Sequence, residues 1–66
     1  MELYLNGALR RFENPLSIAE LTQQLGLGQQ RFAVEVNRAI VPKSNHAVHQ
    51  LVEGDRVEII QAMGGG

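Results

Sequence analysis

The residues best placed to do chemistry in this 66-residue sequence are its last three, Gly64-Gly65-Gly66. They follow an apolar, strand-like run, Val57-Glu58-Ile59-Ile60-Gln61-Ala62-Met63. Glycine is a poor way to end a strand, because it costs conformational entropy and packs nothing. What it offers is a thin arm without side chains. Extended, Ala62 to Gly66 would reach roughly 17 Å. The reactive group at the tip is the carboxylate of Gly66, which a narrow enzyme tunnel could admit with little else. The chemistry this suits is activation of that carboxylate. A carboxylate is a poor electrophile, and a good leaving group is what opens its carbon to a nucleophile. The competing reading is a frayed end, since termini are the usual place for disorder.

No other group of residues converges on chemistry. His46 and His49 lie three apart and could share one face of a helical turn, but no cysteine or carboxylate cluster joins them. A zinc site needs more ligands, so a structural or solvent-facing role is expected and no metal site is assigned. Glu53 and Asp55 flank Gly54, which a turn explains better than acid–base catalysis does. Gly26-Leu27-Gly28 follows a helix rather than a strand, so it is not a phosphate loop. Arg10-Arg11 reads as a solvated strand face, with electrostatic docking as the lesser alternative.

Size and composition narrow the function further. A chain this small is one domain at most and buries only ~60% of the surface its unfolded form exposes. It has no room for a deep cleft, which argues against an enzyme and for a carrier, a binding module or a substrate of other enzymes. Six Lys/Arg stand against seven Asp/Glu, for a net charge of −1. With no basic patch, nucleic acid is not an expected partner. There are no cysteines, which excludes disulfides and fits a reducing cytoplasm. No stretch approaches the ~20 apolar residues of a membrane span, and Met1-Glu2-Leu3-Tyr4-Leu5 does not read as a signal peptide.

The elements that must carry the arm can be read in order. Met1, Leu3 and Leu5 alternate with Glu2, Tyr4 and Asn6, the pattern of a half-buried strand. Asn6-Gly7 is a hairpin signal, because a type I′ turn needs positive φ twice. Ala8 to Glu13 reads as the returning strand, with Leu9 and Phe12 as its apolar positions and a bulge or bend to explain their spacing. Asn14-Pro15 breaks it. Ser17 to Leu25 is a helix: Ser17 and Glu20 form a capping box, and Leu16 with Leu21 forms a hydrophobic staple. Ile18, Leu21 and Leu25 share one face, and Gly26 is placed to end the helix. After a connector through Gln30, Phe32 to Asn37 alternates again. Asn37-Arg38 is a turn, Ala39-Ile40-Val41 a short strand stopped by Pro42, and Lys43 to Leu51 a loop with one helical turn. Glu53-Gly54-Asp55 turns into a last strand, Arg56 to Ala62.

The order β-β-α-β-β-β predicts an α+β fold, a mixed sheet of four to five strands packed on one main helix. The last strand is free to pair centrally beside the first. This is the β-grasp, or ubiquitin-like, architecture. Residues 1–63 form the domain and 64–66 a flexible glycine tail.

These features resemble one family over the whole chain: the ThiS family, the sulfur carrier of thiamine biosynthesis. The matching parts are Asn6-Gly7 after the first strand, Asn37 followed by Ile40-Val41-Pro42-Lys43, Glu53-Gly54-Asp55, and Val57 to Ala62 leading into the glycines. Gly65 and Gly66 take the place of the family's diglycine, and Gly64 precedes it. The resemblance implies that an E1-like adenylyltransferase uses ATP to adenylate Gly66. It implies that a cysteine desulfurase relay supplies persulfide sulfur that displaces AMP. The resulting thiocarboxylate, a 1-thioglycine, donates sulfur to thiazole synthase. No cofactor is bound permanently, and the chain is a carrier rather than an enzyme.

The alternatives are defined by the same residues. The small subunit of molybdopterin synthase shares the fold and the thiocarboxylate, but its last strand often carries prolines where this chain has Gln61-Ala62-Met63. A ubiquitin-like protein modifier would be ligated to lysines. A passive β-grasp interaction module would be indifferent to loss of Gly65 and Gly66. If Val57 and Ile59 face the helix, then Glu58, Ile60 and Ala62 face away from it. Ile60, Ala62 and Tyr4 on the neighbouring strand are then candidates for a partner-docking patch.

Overall fold

The computed structural model describes residues 1–28 and 30–61. Strand β1 (Glu2–Leu5) and strand β2 (Ala8–Arg11) form a hairpin. Asn6 and Gly7 both take positive φ, 49° and 85°, as a type I′ turn requires. Helix α1 (Ile18–Gln24) follows, then β3 (Phe32–Val36), β4 (Ala39–Val41), a 3-10 turn (Lys43–Asn45) and β5 (Arg56–Gln61). The sheet order is β2-β1-β5-β3-β4. The first and last strands pair in parallel at its centre, Tyr4 opposite Arg56 and Leu5 opposite Val57. The other pairings are antiparallel. One helix on a mixed five-stranded sheet is the expected β-grasp fold. No helix among the described residues is long and apolar enough to cross a membrane.

Helix α1 starts where the local signals place it. Ser17 Oγ accepts from Glu20 N–H at 3.1 Å, and Ser17 N–H donates to Glu20 Oε1 at 2.8 Å. The helix ends on Gly26, at φ 75°, with Gly26 N–H donating to Gln23 C=O and Leu27 N–H to Thr22 C=O. That is a Schellman ending, which uses the carbonyls that a helix terminus leaves over. The segment after Pro42 crosses over the start of α1. Ile18 and Ala19 N–H donate to His49 and His46 C=O, so two of the helix's unpaired amides are satisfied by this loop.

One face of the sheet and the apolar stripe of α1 enclose the core: Leu3, Leu5, Ile18, Leu21, Val34, Val36, Val41 and Val57, with Leu16 and Leu51 from the connections. Phe12, Leu25, Phe32 and Ile59 pack against it. Asp55 is buried and accepts from Val52 N–H (2.9 Å) and Asn37 Nδ2 (3.0 Å). The turn before β5 and the β3–β4 turn are thereby tied together.

The second strand corrects one expectation. Its register is regular, Leu5 opposite Ala8 through Glu2 opposite Arg11, and Phe12 N–H continues the ladder to Met1 C=O. No bulge separates Leu9 from Phe12. They lie on opposite faces: Leu9 pairs with Tyr4 outside, and Phe12 reaches the core inside. Arg10 shares the inner face with Phe12 and lies over its ring at 5.7 Å from the centroid. An edge strand can place a charged residue there because its inner face is open to water at the rim.

Candidate functional site

The arm departs from one end of the sheet, and that end is the candidate site. Strand β5 runs from Arg56, beside the β3–β4 turn, to Gln61, opposite Phe32 at the start of β3. Gly64, Gly65, Gly66 and Ala62 lie outside the described residues. The residues that launch them are Ile59, Ile60 and Gln61.

Alternation along β5 sets its two faces. Val57 is fully buried and Ile59 packs on the core, while Glu58 and Ile60 point outward. Ile60 is 52% exposed and pairs with Ala33 of β3. Next along the same face, Glu58 stands directly opposite Glu35, and Ile40 of β4 lies opposite Glu35 in turn. Two carboxylates in a direct cross-strand pair repel. The one ion pair among the described residues joins Arg11 and Glu2 at 3.1 Å, between β1 and β2 at the other edge of the sheet. The nearest cation on β5 is also committed elsewhere, because the Arg56 guanidinium lies over the Tyr4 ring at 5.3 Å.

Tyr4 and Ile60 therefore share a face without touching. Tyr4 sits opposite Arg56, and Ile60 is four residues further along, roughly 13 Å at strand spacing. Tyr4 has Leu9 and Arg56 as neighbours, and Ile60 has Ala33. The structure thus divides the outer face into an aromatic–cationic part at the start of β5 and an apolar–acidic part near the arm.

The hairpin turn contributes a residue that pattern reading assigned only to the turn. Asn6 Oδ1 accepts from Ile59 N–H at 2.8 Å. Asn6 N–H in turn donates to Val57 C=O. One residue thus holds β5 with its main chain and then with its side chain, three positions before Ala62. At the opposite edge, Gln61 Nε2 donates to Gln30 Oε1 at 2.7 Å.

His46 is a structural residue. His46 is buried, its Nε2 donates to Val41 C=O at 2.9 Å, and its ring stacks on Phe32. Among the described residues no three His, Asp or Glu side chains gather into a metal site. The arrangement projects the end of a central strand beside an exposed apolar residue and two carboxylates.

Comparison with known proteins places this geometry. A family model described as the ThiS family matches residues 3–66. The sulfur carrier protein ThiS of Escherichia coli is 29% identical over 66 residues, covering all of both chains. The crystal structure of a thiamine biosynthesis protein (ThiS) from Geobacter metallireducens superimposes with a TM-score of 0.84 at 29% identity, again covering both chains completely. A thiazole synthase of Paramagnetospirillum magneticum is 39% identical over the whole of this chain. The chain spans only 20% of that relative's length.

Proposed function

This chain belongs to the ThiS family, and on that premise we propose that it carries sulfur on the carboxylate of Gly66 for thiazole formation in thiamine synthesis. The observation that carries the reading is the end-to-end match with a sulfur carrier, 100% of each chain. The geometry is compatible with it: β5 delivers the main chain to the sheet's end, five residues short of Gly66.

In this reading an E1-like adenylyltransferase transfers AMP from ATP to the Gly66 carboxylate, releasing pyrophosphate. Adenylation replaces a hopeless leaving group with a good one. A persulfide sulfur, supplied through a cysteine desulfurase, attacks the acyl carbon and AMP departs. A second thiol cleaves the S–S bond, leaving the thiocarboxylate on Gly66 and a disulfide behind. A thiazole synthase then consumes the sulfur. The likeness to a much longer thiazole synthase supports that enzyme as the consumer. The chain itself supplies no acid, base or nucleophile and holds no resident cofactor; ATP belongs to the activating enzyme. Gly64 and Gly65 thin the arm so that successive enzymes can close on one carbon. Ile60, the outward residue near the arm, forms the docking patch together with Ala62, with Tyr4 as a separate contact. The cytoplasm, where ATP and persulfide donors occur together, is the compartment for this cycle.

The test is co-expression with the activating enzyme and desulfurase, alkylation with a thiol reagent, and an intact mass with C-terminal fragmentation. The chain has no cysteine, so a thiocarboxylate is the only thiol-like group available. The expected result is one label on Gly66 that disappears when Gly66 is deleted. No label, with the activating enzyme active on a control carrier, would overturn the proposal. Isopeptide adducts on lysines would move it to a protein modifier.

A further inference from the structure

The edge of β5 that faces β1 is covered only in part. Strand geometry identifies the groups beyond the covered stretch. Asn6 N–H donates to Val57 C=O and Ile59 N–H to Asn6 Oδ1, so alternate residues Val57, Ile59 and Gln61 turn their main-chain groups toward β1. Arg56 C=O accepts from Asn37 N–H, so Arg56, Glu58 and Ile60 turn theirs toward β3. In a parallel ladder, the chain after Asn6 would cover Ile59 C=O and Gln61 N–H. It has instead turned off into β2 at Gly7. Among the described residues, no hydrogen bond reaches Ile59 C=O or leaves Gln61 N–H on this side. The approach is open: a Cβ built on Gly7 meets nothing within 4 Å, and Ala8, Ile60 and Gln61 are exposed.

We infer that this bare edge is a slot for an extended segment of the enzyme that activates the Gly66 carboxylate; the inference rests on the carrier reading above. The groups fix the chemistry of the occupant. An acceptor and a donor two residues apart on one strand edge are satisfied by another strand's main chain, the basis of strand addition. In parallel register a single incoming residue donates its N–H to Ile59 C=O and accepts Gln61 N–H. That residue lies opposite Ile60 and shares the outer face with it, as Tyr4 does opposite Arg56. Ile60 is a half-exposed aliphatic side chain, so the incoming residue is apolar. Two main-chain bonds are far below the ~800 Å² per partner of a stable interface, which disfavours a second copy of this chain as occupant. They suit a loop already fixed on a larger enzyme. Such pairing would align the main chain just before the arm and aim it along the strand.

The test uses the full chain with its activating enzyme. Amide hydrogen exchange should find Gln61 N–H fast in the free protein and protected at least tenfold in the complex. Gln61→Pro removes that N–H without touching the β3 ladder, since Gln61 faces away from β3. Gln61→Ala controls for the bond to Gln30. Relative to Gln61→Ala, Gln61→Pro should raise KM for adenylation by roughly 2- to 10-fold, the worth of one hydrogen bond. An adenylating complex in which Gln61 N–H stays unprotected would overturn the inference and leave the carrier reading standing. So would protection already present in the free protein, or equal KM for the two variants. If Gln61→Pro fails to fold by circular dichroism, the exchange measurement decides alone. Absence of any adenylation would sink the carrier reading, and this inference with it.

Discussion

The side-chain oxygen of Asn6 takes the place of a main-chain carbonyl in the sheet. It accepts from Ile59 N–H at 2.8 Å, at the step of the parallel ladder that follows Asn6 N–H to Val57 C=O. The hairpin forces this substitution. With φ at 49°, Asn6 has left the extended conformation and turned its own carbonyl out of the ladder. Asparagine tolerates the left-handed region and brings an amide long enough to reach across.

Turn and latch can be separated by substitution. Asn6→Gly keeps a residue that accepts positive φ and deletes the acceptor. It should lower stability by about 1 kcal/mol and speed exchange of the Ile59 amide. Asn6→Asp retains an oxygen acceptor and should hold that amide near its original rate. Equal exchange in both variants would mean the latch contributes nothing.

The facing carboxylates of Glu35 and Glu58 should cost stability. Glu58→Gln is expected to raise the denaturation midpoint, by about 0.2–1 kcal/mol in free energy. The gain should shrink in high salt, which screens the repulsion in the original chain. A Glu58→Gln variant that is less stable at low salt would show that Glu58 has a favourable partner instead.

Docking through the apolar part of the outer face predicts an asymmetry between two exposed residues. Ile60→Glu should leave the circular dichroism spectrum unchanged and raise KM for adenylation about fivefold or more. Tyr4→Ala, roughly 13 Å away along the sheet, should have a smaller effect. Steady-state kinetics with the purified activating enzyme measures both. Unchanged kinetics for Ile60→Glu would remove the patch from the proposal.

Leu21 is fully buried between α1 and the sheet. Leu21→Ala should cost about 2–5 kcal/mol. In so small a domain that is a large share of the total stability. Urea titration should find the variant largely unfolded or with a steeply lowered midpoint.

How much of this was legible in the sequence depends on how local each signal was. The helix was read with its cap, staple and ending because Ser17, Glu20, Leu21 and Gly26 act within a few residues of one another. The faces of β5 were legible from alternation alone, so Ile60 pointed outward as expected. The bulge or bend expected in β2 is not needed, because Leu9 and Phe12 lie on opposite faces of a regular strand. On an edge strand an apolar residue can sit on the wet face, and Leu9 pairs with Tyr4 there. Register between distant strands left no trace in the pattern. That is why the Glu35–Glu58 opposition was missed, and why Asn6, 53 residues from Ile59, was read only as a turn. The cue was present in retrospect: asparagine rather than glycine at the first turn position carries an amide.

The parallel seam between β1 and β5 has a consequence for how the molecule is made. Each hairpin can assemble from neighbours in sequence, but the two halves of the sheet meet only across β5. The opening residues must wait for the closing ones, so folding is delayed by a long loop closure. A chain interrupted before Arg56 has two hairpins and no strand to join them. The strand that leads into Ala62 is thus also the strand that completes the sheet.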